Sequence, residues 1–314
     1  MVSNISILIV GLVTLTLGAE ALVRGSASLA LRLGLSSIVI GLTVVAFGTS
    51  TPELVVSINA AVNNLTDISV GNVIGSNIFN IGVILGVTAM ICPVKVGLQI
   101  IRQDGPIMLA ASVFSSILIM KGSISRISGM FLFSALVIYT AYAVLTARKQ
   151  VGEKIEKQFE EGVPPVSSSL LKDFMFIGGG LVLLVTGSQL LVVSASSIAR
   201  IFGLSEAVIG LTIVAAGTSM PELATSLVAA MRRQPDIAIG NIIGSNIFNI
   251  FGILGLTAIM KPISVSGITK LDLWVMIAFS VALLPMLFTK LKLERWEGVL
   301  LLAGYCLYIS ALWP

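Results

Sequence analysis

The sequence predicts an all-α integral membrane protein in which ten transmembrane helices form two inverted five-helix repeats with broken central helices. Three observations support this prediction. Only 11% of the 314 residues are charged and the mean hydropathy is +1.05, whereas about 25% of the residues of a soluble protein are charged. Long apolar runs recur along the whole chain. Two of these runs are near copies of each other, and each carries a proline and a glutamate in its middle.

Ten apolar segments are long enough to span a membrane, whose hydrocarbon core takes about 20 residues of helix. We place the spans at residues 4–23, 36–62, 69–91, 105–120, 126–147, 173–199, 205–230, 237–260, 271–289 and 296–313. Residues 149–172 mix both charge signs with proline and serine, a composition typical of a solvated linker. The sequence therefore predicts a first repeat at 1–148, a cytoplasmic linker at 149–172 and a second repeat at 173–314.

The basic residues predict the orientation of the chain in the membrane. With the N-terminus outside, the inner loops hold fourteen lysines and arginines and the outer loops hold five. Cytoplasmic loops carry the excess of these residues in membrane proteins. We therefore expect a multi-pass protein of the plasma membrane, with the bilayer as its surroundings and both termini outside.

Two pairs of segments indicate that the chain is duplicated. Residues 41–57, GLTVVAFGTSTPELVVS, agree with residues 210–226, GLTIVAAGTSMPELATS, at twelve of seventeen positions. Residues 67–94 agree with residues 236–263 at eighteen of 28 positions, and both pairs are 169 residues apart. Because each half holds five predicted spans, an odd number, the second copy enters the membrane from the opposite side. Inverted repeats with interrupted helices are a plan of secondary transporters, which bind substrate between the halves.

Each copy predicts a helix break beside a carboxylate. Pro52 and Pro221 cannot donate to the carbonyl oxygen four residues back, so each frees one backbone acceptor in mid-helix. Broken backbone at membrane depth is tolerated where it is buried in protein or lines a cavity. Glu53 and Glu222 follow the prolines directly, and a charged side chain at that depth costs ~3 kcal/mol or more. The two glutamates are therefore the strongest functional candidates.

Neutral oxygen ligands accompany both glutamates. Hydroxyl groups precede each proline, at Thr49, Ser50, Thr218 and Ser219. The next predicted helix of each half carries polar residues four apart, Asn72, Ser76 and Asn80 in the first half and Asn241, Ser245 and Asn249 in the second. A site of carboxylates, amides, hydroxyls and carbonyls without His or Cys suits hard ions such as Ca²⁺, Na⁺ or Mg²⁺.

At these residues the sequence resembles the sodium/calcium exchangers of the cation/calcium antiporter superfamily, in their prokaryotic type. The signature repeats of that family carry GTS-x-PE or close variants, and this chain has GTSTPE, GTSMPE and two copies of GSNIFN, so the likeness spans both halves. The resemblance implies a ten-helix inverted-repeat fold with one Ca²⁺ site and three Na⁺ sites, exposed alternately to each side.

The resemblance also implies ligands for each ion, position by position. The Ca²⁺ ligands correspond to Glu53, Glu222 and the backbone oxygens of Thr49 and Thr218. The Na⁺ ligands correspond to Ala46, Ser50, Ser76, Ala215, Ser219 and Ser245, with the side chains of Thr49 and Thr218. Asn80 and Asn249 border the middle site.

Position 249 departs from part of the family. Potassium-dependent members and certain prokaryotic ones carry Asp where this chain has Asn249, so the resemblance argues against K⁺ co-transport. Two carboxylates remain in the site. One Ca²⁺ neutralises their charge, whereas three Na⁺ leave a net charge of +1. The implied exchange of three Na⁺ for one Ca²⁺ is electrogenic.

Other functions remain open from the residues alone. Two close glutamates can bind protons as coupled sites, so an H⁺/Ca²⁺ antiporter, or another divalent cation/H⁺ antiporter, is the main alternative. A cation channel also uses carboxylates and carbonyls, although inverted broken helices favour alternating access. An intramembrane serine protease needs a base for its nucleophile, and the chain has no His and no mid-span Lys. We expect no enzymatic activity, no cofactor and no nucleic-acid partner, only the transported Ca²⁺ and Na⁺, and a monomeric chain.

Overall fold

The computed structural model describes residues 2–149, 169–202, 215–265, 267–288 and 291–312. Outside this description lie residues 150–168, which are most of the predicted linker, and residues 203–214, which include the start of the predicted span 205–230. The described residues are helical apart from loops and four strands of two residues each.

The α-helices of the first half, numbered in chain order, are α1 (Val2–Leu33), α2 (Ser37–Ile40), α3 (Ala46–Thr49), α4 (Thr51–Val62), α5 (Thr66–Phe79), α6 (Gly86–Ile91), α7 (Gly105–Met120) and α8 (Arg126–Lys149). The second half has α9 (Leu170–Ile201), α10 (Ala215–Thr218), α11 (Met220–Met231), α12 (Pro235–Ile247), α13 (Gly255–Met260), α14 (Lys270–Phe288) and α15 (Arg295–Leu312). In the described ranges, four π-helical segments continue neighbouring helices: π1 (Gly41–Val45), π2 (Asn80–Leu85), π3 (Ile100–Asp104) and π4 (Phe248–Leu254).

Among the described residues, seven helices are long and apolar enough to cross a membrane, and a bent pair adds an eighth. The pair consists of Ser37–Thr49 and Thr51–Val62, which meet at 46°. Helix α11 is apolar but short. Helix α15, at the predicted tenth span, carries the charged residues Arg295 and Glu297 in its first turn. The chain is therefore a multi-pass, all-helical membrane protein.

The first helix is longer than predicted, because α1 continues past residue 23 to Leu33. Helix α1 packs antiparallel along α9 through facing glycines. A Cβ at Gly18 would lie 2.7 Å from the backbone nitrogen of Leu184, which no side chain could tolerate. At the end of this contact Arg32 Nε donates to Asp173 Oδ2 at 2.8 Å. Helix α1 ends at Leu33 because Gly34 adopts a left-handed conformation with φ 64°, in which the backbone nitrogens of Gly34 and Leu35 donate to the carbonyl oxygens of Leu31 and Ala30.

Two small β-ladders that were not predicted from the sequence connect the halves in the described part of the chain. Strand β1 (Val94–Lys95) pairs antiparallel with β4 (Lys292–Leu293), with Val94 opposite Leu293. Strand β2 (Ser123–Ile124) pairs antiparallel with β3 (Ile263–Ser264), with Ile124 opposite Ile263. Segments of two residues have no detectable alternation, so only the tertiary fold reveals them.

The central helices are the most buried of the candidate membrane spans among the described residues. The continuous stretch Pro235–Met260 joins α12, π4 and α13, and 83% of its 18-residue apolar segment is buried. The buried share of the corresponding segment of α1 is 28%. The corresponding stretch of the first half, Thr66–Ile91, is 67% buried. A helix buried on all sides lies inside a bundle rather than against lipid. These two stretches are therefore the inner wall on which the candidate site is built.

Candidate cation-binding site

The helix break of the first half lies at Ser50. Helix α3 ends at Thr49, Ser50 has φ −84° and ψ 8°, and α4 begins at Thr51 with Pro52 in its first turn. Proline fits there because the first turn of a helix has no partner for its backbone nitrogen. The axis bends by 46° at this point, so Glu53 enters the interior from the first turn of a new helix.

The second half has the same arrangement around Ser219. Helix α10 ends at Thr218, Ser219 has φ −90° and ψ 8°, and α11 begins at Met220 with Pro221 in its first turn. The Ser188 hydroxyl of α9 donates to the backbone carbonyl of Gly217, the oxygen that Pro221 leaves without its helical partner. The break is thus stabilised from a neighbouring helix.

The two glutamates are buried and are held by the opposite half. Both side chains belong to residues that are 1% exposed. Oε1 of Glu222 accepts a hydrogen bond from Ser50 Oγ at 2.8 Å, and Oε1 of Glu53 accepts one from Ser219 Oγ at 2.9 Å. Neither carboxylate has an ion-pair partner in the described part of the chain. Their second oxygens, Oε2, accept no hydrogen bond from the described residues.

Asn72 and Asn241 tie the broken helices to the inner wall. Asn72 Nδ2 donates to the backbone oxygen of Glu53 at 3.1 Å and to Ser57 Oγ at 2.8 Å. Asn241 Nδ2 donates to the backbone oxygen of Glu222 at 3.4 Å and to Ser226 Oγ at 2.9 Å. These amides therefore fix the first turns that carry the glutamates.

The two threonines at the breaks differ in their surroundings. Thr49 is 1% exposed, and its hydroxyl contacts Asn241 Oδ1 at 3.0 Å and the backbone oxygen of Ala46 at 3.4 Å. Thr218 is only partly buried. Ala46 is fully buried, whereas the side chain of Ala215, the first residue of α10, lies outside the described part.

Asn80 and Asn249 occupy equivalent places at the π segments, each 1% exposed. Segment π2, which begins with Asn80, packs against α11, which carries Glu222. Segment π4, which contains Asn249, packs against α4, which carries Glu53. The Oδ1 atoms of both asparagines lack a hydrogen-bond partner among the described residues. Each amide thus adds an unpaired acceptor on a segment that packs against a helix carrying Glu53 or Glu222.

Ser76 and Ser245 lie one helical turn before these asparagines, 5% and 0% exposed. The hydroxyl oxygen of Ser245 is also without a partner in the described part of the chain. Most of the sequence-predicted residues of both motifs are therefore buried, whereas Asn72 and Thr218 are half-buried and the side chain of Ala215 lies outside the described part.

Two further asparagines of this region were not predicted from the sequence. Asn249 Nδ2 donates to Asn77 Oδ1 at 3.0 Å, and Asn80 Nδ2 donates to Asn246 Oδ1 at 3.3 Å. Asn77 and Asn246 are the asparagines of the two GSN sequences. Their identity in both repeats was a signal, but they fall outside the four-residue spacing by which the polar stripe was found.

The unpaired oxygens define what the site can bind. A buried acceptor without a partner costs about 1–3 kcal/mol. Among the described residues, such acceptors occur on the helices that carry the two repeated motifs: Glu53 Oε2, Glu222 Oε2, Asn80 Oδ1, Asn249 Oδ1 and Ser245 Oγ. Within the described ranges no three His, Cys, Asp or Glu residues cluster. Two carboxylates among neutral oxygens are ligands for a hard cation rather than for zinc or copper.

Comparison with known proteins identifies relatives over the whole chain. The family model described as sodium/calcium exchanger protein matches residues 3–145 and 172–313. The chain is 34% identical over 312 residues to the inner membrane protein YrbG of Escherichia coli (strain K12), covering 98% of this chain and 96% of that protein. It is 33% identical to the sodium/calcium exchanger MaX1 of Methanosarcina acetivorans, in an alignment of 347 positions that covers 98% of this chain and 98% of that protein.

A solved structure shows the same fold. The sodium-calcium exchanger NCX_Mj, soaked with 2.5 mM Na⁺ and 0.1 mM Ca²⁺, aligns with a TM-score of 0.85 and 32% sequence identity over 99% of both chains.

Proposed function

Because the chain belongs to the sodium/calcium exchanger family, we propose that it is a secondary active transporter that exchanges Ca²⁺ for Na⁺ by alternating access. The family consists of transporters rather than enzymes, and its name makes Ca²⁺ and Na⁺ the transported partners. The observation that carries the proposal is the pair of buried glutamates, each held by a serine of the opposite half and each with one oxygen free of hydrogen bonds.

We propose that Ca²⁺ binds between the two halves. Glu53 and Glu222 supply its carboxylate ligands, and the backbone oxygens of Thr49 and Thr218 complete the set. A divalent ion between two carboxylates removes their mutual repulsion, which is otherwise large in a buried site. The unpaired Oε2 atoms support this assignment.

The proposed Na⁺ ligands lie around this centre. They are the hydroxyls of Thr49, Ser50, Thr218, Ser219, Ser76 and Ser245, together with the backbone oxygens of Ala46 and Ala215. Ser50 and Ser219 each donate to a glutamate, so a hydroxyl oxygen beside each carboxylate is positioned to accept Na⁺. Asn80 and Asn249 border the middle site with unpaired amide oxygens.

The charge of the site supports a stoichiometry of three Na⁺ to one Ca²⁺. Two carboxylates are neutralised by one Ca²⁺, whereas three Na⁺ exceed them by one charge, so the exchange is electrogenic. Asn249 adds no third charge, and we therefore propose that transport is independent of K⁺.

We propose ten membrane-spanning helices in two inverted repeats, residues 1–148 and 173–314, with a cytoplasmic linker at 149–172. The mirrored contacts around Ser50 and Ser219 support a duplicated design. The distribution of lysine and arginine supports a plasma-membrane protein with both termini outside. We propose that one chain is the transporting unit, because both halves of the site come from it.

The decisive experiment measures radioactive Ca²⁺ uptake into proteoliposomes loaded with Na⁺ and diluted into Na⁺-free buffer. Valinomycin and K⁺ gradients set the membrane voltage. Uptake that requires internal Na⁺ and increases when the interior is made positive supports electrogenic exchange, because three positive charges leave for two that enter. Uptake that ignores Na⁺ and follows a pH gradient would instead identify an H⁺/Ca²⁺ antiporter. Flux far above exchanger turnover without a counter-ion would identify a channel.

A further inference from the structure

Asn77 and Asn246 are not among the proposed ion ligands. They form a crossed pair, in which each asparagine bonds an asparagine of the opposite half. Both are 1% exposed, and each accepts a hydrogen bond from the amide of an asparagine in the opposite half. Asn77 receives the Nδ2 group of Asn249 at 3.0 Å, and Asn246 receives the Nδ2 group of Asn80 at 3.3 Å.

The orientation of Asn77 follows from its other end. Its Nδ2 group faces the backbone carbonyl of Asn246 at 3.4 Å, and a carbonyl can only accept. An amide side chain has one accepting end and one donating end. Oδ1 of Asn77 therefore faces Asn249 and accepts a hydrogen bond from its Nδ2 group. Oδ1 of Asn249 is then left without a partner among the described residues.

The same logic applies in the other half. The Nδ2 group of Asn246 lies 3.5 Å from Met108 Sδ, a weak acceptor. Oδ1 of Asn246 then accepts from Asn80, whose Oδ1 is likewise unpaired. Both middle-site amides thus present oxygen, because their donor ends are occupied.

We propose that Asn77 and Asn246 are positioning residues that turn the carbonyl oxygens of Asn249 and Asn80 toward the transported cation. This inference rests on the proposed function. A reversed amide would present N–H groups to a cation and exclude it, so the crossed pair makes these two positions cation ligands. Neither Asn77 nor Asn246 is required to touch the ion.

The test is a double-mutant cycle read by calorimetric titration of CaCl₂ into the purified full chain. Leucine is close to asparagine in size but offers no acceptor to Nδ2 of Asn249. In Asn77→Leu the dissociation constant for Ca²⁺ should rise about tenfold or more, because the Asn249 amide loses its fixed orientation. In the Asn249→Asp background both ends of the side chain are oxygens, so Asn77→Leu should change that constant by less than about twofold.

The control is Asn63→Ala, which removes an exposed amide whose hydrogen bonds within the described residues go to Asn59, one turn earlier in the same helix. Its Ca²⁺ affinity should equal that of the wild type. An equal loss in both backgrounds of the cycle, or an unchanged affinity in Asn77→Leu, overturns the positioning role. If Asn77→Leu does not fold, the equivalent cycle of Asn246→Leu with Asn80→Asp decides the question.

The titration separates this inference from the proposed function, because it needs no Na⁺ gradient. A wild-type chain that binds Ca²⁺ without exchanging it for Na⁺ refutes the exchange and leaves the cycle readable. A wild-type chain that binds no Ca²⁺ overturns both.

Discussion

The hydroxyl of Ser50 donates a hydrogen bond to Oε1 of Glu222 at 2.8 Å, so the helix break of one half holds the carboxylate of the other. Ser219 holds Glu53 in the same way at 2.9 Å. Each glutamate therefore depends on a break that it does not belong to. A movement of either half therefore acts on a proposed hydroxyl ligand and a proposed carboxylate ligand at once, which is consistent with the alternating access proposed above.

Replacing the bridging serines should weaken Na⁺ binding. Ser50→Ala and Ser219→Ala each remove a proposed Na⁺ ligand and a hydrogen bond to a buried carboxylate, a change of about 1–3 kcal/mol. We expect the Na⁺ concentration for half-maximal exchange to rise about tenfold. Ser197→Ala is the control, since its half-buried hydroxyl bonds Val193 of the same helix and has no other hydrogen bond among the described residues. Unchanged Na⁺ dependence in both serine variants would remove these residues from the site.

Replacing the glutamates should abolish exchange while leaving a folded protein. Glu53→Gln and Glu222→Gln keep the size of the side chain but remove the charge that holds Ca²⁺, so Na⁺-driven Ca²⁺ uptake should fall to background. Each variant should elute as a single species in size-exclusion chromatography in detergent. Glu20→Gln is the matched control, because Glu20 pairs with Arg24 and Arg232 away from the site. Transport by both glutamate variants at wild-type rates would contradict the assignment.

The repeats made much of the site predictable. Identical spacing in the two halves placed Glu53 and Glu222 at equivalent helix breaks, because proline in mid-helix has one physical consequence wherever it occurs. The breaks do lie there, at Ser50 and Ser219. The family resemblance and the overall helical membrane fold were confirmed.

Contacts between the halves could not be predicted in the same way. Symmetry alone leaves open whether Ser50 bonds Glu53 of its own helix or Glu222 of the other, because both lie near the break. The Asn77–Asn249 bond depends equally on the packing of two helices 172 residues apart in sequence. Local patterns identify which side chains are polar and buried, and the tertiary arrangement decides how they pair.

Transport should be independent of K⁺. Only two glutamates carry charge in the proposed site, and Asn249 supplies no third carboxylate for a further monovalent ion. Replacement of K⁺ by choline on both sides, without valinomycin, should leave initial Na⁺-driven Ca²⁺ uptake unchanged. Stimulation of the wild type by K⁺ would contradict this prediction.

The glycine contact between α1 and α9 should be sensitive to a single methyl group. A Cβ at Gly18 would lie 2.7 Å from the Leu184 nitrogen and 2.8 Å from the Gly180 oxygen, and backbone atoms cannot move aside as a flexible side chain can. We expect Gly18→Ala to destabilise the protein by about 1–3 kcal/mol and to lower its melting temperature in detergent. Gly178→Ala is the control, since nothing lies within 4 Å of its added Cβ. Equal melting temperatures for the two variants would show that α1 and α9 separate more easily than their packing implies.

The ion pair between Arg32 and Asp173 should matter more than the one between Arg24 and Glu20. The Asp173 side chain is 0% exposed, whereas Arg24 is 51% exposed. Arg32→Gln removes the guanidinium that bonds the buried Asp173 carboxylate at 2.8 Å, and removing one member of a buried pair costs about 3–5 kcal/mol. Arg24→Gln removes an exposed pair four residues apart on one helix, worth about 0.3–0.5 kcal/mol. Melting temperatures in detergent should therefore fall clearly for Arg32→Gln and hardly at all for Arg24→Gln. The double variant Arg32→Gln with Asp173→Asn should recover part of the loss, because it also removes the buried charge of Asp173. A double variant less stable than Arg32→Gln alone would assign the loss to packing of the two side chains rather than to their charges.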